Sequence, residues 1–83
     1  MQVKIRLFAI LRDKTKTEFL ELSFPDNPTG KDILVELGNR FPDIKGTLEK
    51  SAIAANETYL SPSEIIPDNA EIAIIPPVSG GEI

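Results

Sequence analysis

The chain has 83 residues and a formal net charge of −4, with 41% apolar residues, no cysteine and no histidine. A chain of this length forms one small domain that buries only about 60–65% of its unfolded surface. The absent cysteines exclude disulfides and thiolate chemistry, and the absent histidines remove the commonest general base and metal ligand. Lysine and arginine form no cluster that could bind nucleic acid or an anionic membrane surface. Neither a signal peptide nor a membrane span is recognisable, so we expect a cytoplasmic protein.

The N-terminal part of the chain predicts a pair of strands. Residues 2–7 alternate polar and apolar side chains, which is typical of a strand with one wet face. Residues 12–16 are predicted to be a polar loop, after which residues 18–24 resume a strand. An opening hairpin is the simplest topology for this pair, and the turn residues 25–28 end it.

A helix of about three turns is predicted next. Thr29 is suited to its N-cap, Asp32 stands three residues on in the capping-box position, and Pro42 ends it. Gly38 weakens this helix by about 1 kcal/mol relative to alanine, for which a close approach to the sheet would compensate. Residues 44–50 are either irregular or a second short helical turn. The apolar stripe of the main helix consists of Ile33, Leu34, Leu37 and Phe41.

The remaining elements are short strands. Residues 52–55 and 58–60 read as two strands around a tight turn, and residues 71–75 form the last strand. Pro76-Pro77 must end this strand because proline cannot donate to a ladder. The order of elements predicts an α+β domain, with a mixed sheet of four to five strands and one main helix packed across one face.

The chain divides into a folded domain, residues 1–77, and a C-terminal tail, residues 78–83, which we expect to be flexible. The tail carries Gly80-Gly81, and Pro76-Pro77 stiffens its root in an extended form. Glycine lacks a Cβ, so a Gly-Gly end can thread a channel too narrow for other residues. Such a terminus suits delivery of its own end group into another protein's active site, although a frayed end would carry two adjacent glycines in roughly a few per cent of chains.

An apolar patch is predicted beside the root of the tail. If Ile72 and Ile74 face the core, Ile75 points to the opposite side of the sheet. Tyr59 in the adjacent strand region and Phe8 just past the first strand would share that side and form a docking patch with it. The alternative is that Phe8 and Tyr59 are ordinary core residues.

Three segments of the chain carry a recognisable pattern. They are residues 7–13 (LFAILRD), residues 55–58 (ANET) and residues 73–81, which close with PPVSGG. These segments resemble the F-F-A-x-x-R-E stretch, the V-N-x-x segment and the closing P-P-V-[ST]-G-G of molybdopterin synthase small subunits of the MoaD type. The closing segment is the most specific of the three. The resemblance covers the chain up to Gly81 and implies a ubiquitin-like β-grasp fold.

The resemblance implies a sulfur carrier of molybdenum cofactor biosynthesis that binds no cofactor or metal and is not itself an enzyme. In that family an E1-like enzyme uses ATP to adenylate the terminal glycine, here Gly81, and sulfur from a donor protein turns it into a thiocarboxylate. The carrier then gives this sulfur to a cyclic pyranopterin precursor. The large subunit of the synthase supplies the catalytic residues, in a heterotetramer. Carried over to this sequence, the tail consists of Pro76, Pro77, Val78, Ser79 and Gly80, and the partner-binding residues are Phe8, Arg12, Tyr59 and Ile75.

One departure from the family leaves several interpretations open. Family members end at Gly-Gly, whereas Glu82-Ile83 follow here, so that the carbonyl of Gly81 is an amide and cannot be adenylated. Either a protease removes the two residues, or they are foreign to the natural chain, or this copy is not a competent carrier; we expect processing. The alternative functions are a sulfur carrier for thiamine, cysteine or tRNA thiolation, a ubiquitin-like protein modifier, and a plain β-grasp interaction domain with an inert tail.

Overall fold

The computed structural model describes residues 1–77, and its elements follow the predicted order with one added helix. The strands are β1 (Gln2–Leu7), β2 (Phe19–Ser23), β3 (Ala52–Ala55), β4 (Thr58–Leu60) and β5 (Glu71–Ile75). The helices are α1 (Ala9–Thr15), α2 (Gly30–Arg40) and α3 (Lys45–Leu48), with a 3-10 turn at Pro42–Ile44 before α3. In the described part of the chain, no helix has the length and apolar character needed to cross a membrane.

The strands form one mixed sheet in the order β2-β1-β5-β3-β4. β1 and β5 run parallel, while the pairs β1–β2, β3–β5 and β3–β4 are antiparallel. Ile5 lies opposite Leu20 on β2 and Ile72 on β5, and Ile53 on β3 lies opposite Ile74. The apolar residues of neighbouring strands therefore share one face of the sheet, and the predicted α+β class with a mixed sheet is confirmed.

The core lies between this face and α2. Every second residue of β1 is buried, and α2 adds Ile33 and Leu37, which are fully buried. The predicted capping box is confirmed: the Asp32 N–H donates to the Thr29 hydroxyl oxygen at 3.3 Å, and the Thr29 N–H donates to the Asp32 carboxylate at 2.9 Å. The opposite face of the sheet, away from α2, is called the outer face below.

The segment between β1 and β2 is a helix rather than the predicted polar loop. Arg12 therefore lies on α1, and the two antiparallel strands are not joined as a simple hairpin. The sequence conceals this helix because Leu11 is its one buried residue, which leaves no apolar repeat to detect. The Thr15 hydroxyl donates to the Leu11 carbonyl at 2.8 Å, and Lys16 ends the helix in the left-handed conformation, with φ of 59°.

Two details of the later elements bear on the predictions. Asn56 and Glu57 form the tight turn between β3 and β4, with φ of 50° and 71°. The close approach at Gly38 is to α3 rather than to the sheet, since a Cβ there would lie 3.3 Å from Lys45 Cγ and 3.8 Å from Leu48 Cδ1. Of the two structures left open for residues 44–50, the short helical turn is the one observed.

Candidate functional site

A row of five residues, one from each strand, crosses the outer face. The register places Arg6 of β1 opposite Phe19 of β2 and opposite Ala73 of β5. Ala73 lies opposite Ala54 of β3, which in turn lies opposite Tyr59 of β4. Aromatic side chains therefore stand at the two ends of the row. The two alanines leave a hollow between the arginine and the tyrosine.

This hollow has a volume of about 330 Å³. Its apolar walls are Phe8, Tyr59 and Ile75, the residues that the sequence places in one patch. Ile75 lies on the side opposite its buried neighbours in β5, as its parity predicts. Tyr59 is 69% exposed, so the alternative that it is a core residue is wrong. The structure thus brings three of the four predicted partner-binding residues together.

Charged groups form the rim of the hollow. Arg6 contributes one guanidinium, and Glu57 and Glu71 contribute two carboxylates. The Asn56 side chain accepts a hydrogen bond from the backbone N–H of Glu71 at 3.1 Å, which ties the start of β5 to the β3–β4 turn. An apolar centre with a polar rim is the arrangement of a protein-binding surface. Among residues 1–77, no group of three acidic or other metal-binding side chains is placed to hold a metal ion.

The root of the predicted tail lies at the edge of the hollow. Because β5 runs parallel to β1, both strands end at the same edge of the sheet. Phe8, which directly follows β1, and Ile75, the last residue of β5, both line the hollow. Pro76 follows β5 and is buried, and Pro77 is exposed. The predicted tail residues Val78, Ser79, Gly80 and Gly81 lie outside the described residues.

Arg12 is not part of the hollow. It is exposed on α1, where its Nε lies 3.9 Å from an Asp13 carboxylate oxygen. The side chains that line the hollow do not include it. A role in partner binding would therefore need a separate contact between α1 and the partner, and it stays a prediction.

Arg6 and Phe19 are prominent on the outer face although the sequence does not single them out. The guanidinium carbon of Arg6 lies 4.8 Å from the centroid of the Phe8 ring and 5.1 Å from that of the Phe19 ring. A signal for Arg6 was present, since residues two apart on a strand share a face and Phe8 follows Arg6 by two. No local signal points to Phe19, because its place beside Arg6 depends on the pairing of β1 with β2.

The family model that matches this chain is described as the ThiS family and covers residues 5–81. The chain belongs to the ThiS family. Two curated relatives of this ThiS-family chain are named molybdopterin synthase sulfur carrier subunit. The protein from Dictyostelium discoideum is 40% identical over 83 residues, which cover 96% of this chain and 96% of the relative. The protein from Arabidopsis thaliana is 37% identical over 81 residues, which cover 98% of this chain and 84% of the relative.

Solved structures show the fold of this ThiS-family member. SAMP1 from Haloferax volcanii superposes with a TM-score of 0.84 at 21% identity, over 98% of this chain and 100% of that one. Small archaeal modifier protein 1 from Methanosarcina acetivorans superposes with a TM-score of 0.74 at 32% identity, over 96% of each chain. A chain in the complex of subunits 1 and 2 of molybdopterin-converting factor from Helicobacter pylori superposes with a TM-score of 0.68 at 24% identity. The match covers 98% of this chain and 100% of that chain. The predicted ubiquitin-like β-grasp fold is confirmed.

Proposed function

We propose that this chain is the sulfur-carrier small subunit of a molybdopterin synthase. It donates sulfur from a thiocarboxylate on Gly81 to a cyclic pyranopterin precursor in molybdenum cofactor biosynthesis. The observation that carries the proposal is the near-full-length similarity to carrier subunits of this name, at 40% and 37% identity. The family match supports it further, because it extends through the two glycines of the tail.

The proposed sulfur transfer has four steps. A carboxylate is a poor electrophile, so an E1-like enzyme first uses ATP to convert the Gly81 carboxyl group into an acyl-adenylate, with release of pyrophosphate. Sulfide-level sulfur from a donor protein then attacks the acyl carbon, displaces AMP and leaves a thiocarboxylate. The thiocarboxylate sulfur is a good nucleophile and attacks a carbon of the precursor in the active site of the large subunit, where it takes the place of an oxygen substituent. Water then hydrolyses the resulting thioester, which leaves the sulfur on the precursor and returns Gly81 to a carboxylate. The ATP and the catalytic groups belong to the partners, so the carrier needs neither a bound cofactor nor a catalytic side chain.

The folded domain supplies the docking surface for these reactions. An exposed tyrosine beside half-buried aromatic and aliphatic side chains, around a small hollow, is typical of the centre of an interface. A large subunit seated on this hollow would lie beside the root of the tail. We propose that Phe8, Tyr59 and Ile75 contact the large subunit, with Arg12 as a separate contact from α1. Two small and two large subunits then form a heterotetramer. We also propose that the protein is cytoplasmic.

Removal of Glu82-Ile83 is part of the proposal. In the full sequence the Gly81 carbonyl is engaged in a peptide bond, so that only cleavage after Gly81 yields the free carboxyl group for adenylation. We expect the intact mass of the protein from its native cell to correspond to a chain that ends at Gly81. If only the full-length form is present and it supports pterin sulfuration, the assignment of sulfur to Gly81 is wrong.

Reconstitution with defined components tests the function itself. A version that ends at Gly81, with the thiocarboxylate supplied chemically, is incubated with a large subunit and the pyranopterin precursor. We expect the dithiolene of molybdopterin to form. The matched control ends at Gly81 with an ordinary carboxylate and should give no product in the absence of the activating enzyme. Absence of product from the thiocarboxylate form contradicts the proposal.

A second candidate is a protein modifier joined through Gly81 to lysines of other proteins. The observation that favours it is the 32% identity, over 96% of each chain, to small archaeal modifier protein 1 from Methanosarcina acetivorans. A modifier would form a ladder of conjugates in cells that disappears when Gly81 is deleted. A carrier for thiamine, cysteine or tRNA thiolation would form no such ladder and would complement loss of its own pathway instead.

A further inference from the structure

Arg6 contacts two aromatic rings on the outer face. Its guanidinium carbon lies 4.8 Å from the centroid of the Phe8 ring and 5.1 Å from that of the Phe19 ring, both within the range of a cation–π contact. The two rings belong to different parts of the chain, since Phe8 follows β1 and Phe19 begins β2. One planar group therefore links two aromatic side chains across two strands. Arg6, Phe8 and Phe19 are called the Arg6 clamp below.

The cation–π contacts with the two rings, rather than the exposed hydrogen bond to Glu18, contribute most to fixing the Arg6 side chain. Its Nη2 lies 3.2 Å from a Glu18 carboxylate oxygen, but the two side chains are 41% and 40% exposed, and so exposed an ion pair contributes little. The Nε atom is buried and has no hydrogen-bond partner among the described residues. A buried donor without a partner is unfavourable, so the cation–π contacts of the guanidinium with the two rings have to offset this cost.

The Arg6 clamp enlarges the candidate docking surface. Phe19 is 60% exposed and lines a second hollow of about 340 Å³ on the outer face, together with Lys4 and Glu21. Glu71 lines both hollows, so the two depressions adjoin. Arg6 lines the first hollow, Phe19 lines the second, and the two side chains are in contact. The surface available to a partner therefore extends across the sheet from Tyr59 on β4 to Phe19 on β2.

We propose that Arg6 is a positioning residue of the surface that binds the large subunit and that Phe19 is a contact residue of the same surface. Arg6 acts through the rings, because it holds Phe8 and Phe19 in one orientation before the partner arrives. Fewer side-chain rotamers are then lost on binding. This inference rests on the proposed function, since the occupant of the surface is the large subunit of the synthase.

The charged residues around the two hollows indicate what kind of surface the large subunit presents to them. Glu21, Glu57 and Glu71 line the two hollows against two cations, Lys4 and Arg6. The net charge of the whole chain, −4, has the same sign. The matching face of the large subunit therefore presents apolar side chains to the hollows and basic side chains around them.

Binding to the large subunit encoded in the same genome, measured by calorimetry, tests the inference. Arg6→Lys keeps the positive charge but removes the planar group, and Phe19→Leu keeps an apolar side chain but removes the ring. Each change should raise Kd about five- to tenfold, because side chains that the Arg6 clamp no longer holds must be ordered when the partner binds. In the sulfur-transfer assay KM should rise by the same factor. The kcat at saturating carrier should stay unchanged, because neither substitution touches the group that carries sulfur.

Two variants serve as matched controls. Phe19→Tyr keeps an aromatic ring and should bind within twofold of the unchanged chain. Arg40 on α2 forms an ion pair of the same length, 3.2 Å, with Glu36, away from the outer face. Arg40→Lys should therefore leave Kd unchanged. The thermal unfolding midpoint of every variant separates a loss of docking from a loss of folded protein.

A measurement on the free chain tests the clamp without any partner. Ring currents should shift the Cδ and Nε proton resonances of Arg6 upfield, and Phe19→Leu should remove part of this shift. If the Arg6 resonances are not shifted, the inference is wrong. It is also wrong if Arg6→Lys and Phe19→Leu both bind with a Kd within twofold of that of the unchanged chain. The proposed function fails separately if the thiocarboxylate form binds the large subunit but yields no dithiolene. If the thiocarboxylate form does not bind the large subunit, both the proposed function and this inference are wrong.

Discussion

Replacement of Tyr59 by alanine should separate docking from folding. Tyr59 is 69% exposed on β4 and does not belong to the core cluster of the described domain. Its removal leaves no cavity in the core, so the free energy of unfolding should fall by no more than about 1 kcal/mol, within the range of strand propensities.

The expected effect on binding is larger. A tyrosine side chain buries roughly 150–250 Å² when it is covered, so the 69% exposed part of Tyr59 offers about 100–170 Å² to a partner. At about 25 cal/mol per Å², covering this area contributes at most about 2.5–4 kcal/mol, which side-chain ordering and desolvation of the hydroxyl reduce. We expect Tyr59→Ala to weaken binding to the large subunit by about 2 kcal/mol, or roughly 30-fold in Kd.

Calorimetric titration against the large subunit and urea unfolding of the free chain provide the two measurements. Val35→Ala is the matched control, since Val35 is a 52% exposed apolar residue on α2, in the other layer. It should leave Kd unchanged. A Tyr59→Ala chain that binds within threefold of the unchanged chain, at an unchanged urea midpoint, would refute the placement of the docking centre at the hollow.

Four further substitutions, at three positions, test the packing and capping of α2. Gly30→Ala should destabilise the fold by about 1 kcal/mol, because the added Cβ would lie 3.3 Å from the backbone Cα of Pro62, which cannot yield. Gly38→Ala should stabilise it by about 0.5 kcal/mol, because alanine favours the helix and the Lys45 side chain, 3.3 Å away, can move aside. Thr29→Ala should destabilise the fold by about 1 kcal/mol, because the helix loses its N-cap. Thr29→Ser keeps a hydroxyl at the N-cap, so most of this free energy of unfolding should be retained. Urea unfolding measures all four changes, and shifts of the same sign for both glycines would contradict the contact argument.

The elements that the sequence predicts well are those with local signals. α2 combines a capping box at Thr29, an apolar stripe at helical spacing and Pro42, two residues after its last residue, and its observed range agrees with the capping box and the proline. Phe41, the last residue of the predicted stripe, is the C-cap rather than part of the helix. In β5, alternation alone places Ile74 in the core and Ile75 on the outer face. The tight turn at Asn56 was predictable for the same reason, because turn residues separate two short apolar runs.

The features that the sequence does not predict depend on contacts between distant segments. α1 has one buried residue, Leu11, and its helical conformation follows from packing rather than from an apolar repeat. The Arg6 clamp needs the register of β1 and β2, which brings Phe19 beside Arg6 and which no local pattern encodes. The hollow likewise arises because the pairing of β3 with β5 places two alanines side by side.

β5 connects the fold to the proposed function. Ile72 and Ile74 are fully buried, while Ala73 and Ile75 line the hollow, so a slip of one residue would exchange the core side with the docking side. Pairing with β1 on one side and with β3 on the other fixes this register, and the buried Pro76 follows the end of the strand. The point at which the tail leaves the domain is therefore constant relative to the hollow.

The length of the tail then limits where its partners can act. Four residues, 78 to 81, follow Pro77 as far as the second glycine, and four residues span at most about 14 Å. An enzyme that binds at the hollow and acts on Gly81 must place its reacting atoms within about that distance of Pro77. Two partners that both bind at the hollow cannot do so at once. A carrier that is activated by one enzyme and discharged by another at this surface must therefore leave the first before it meets the second.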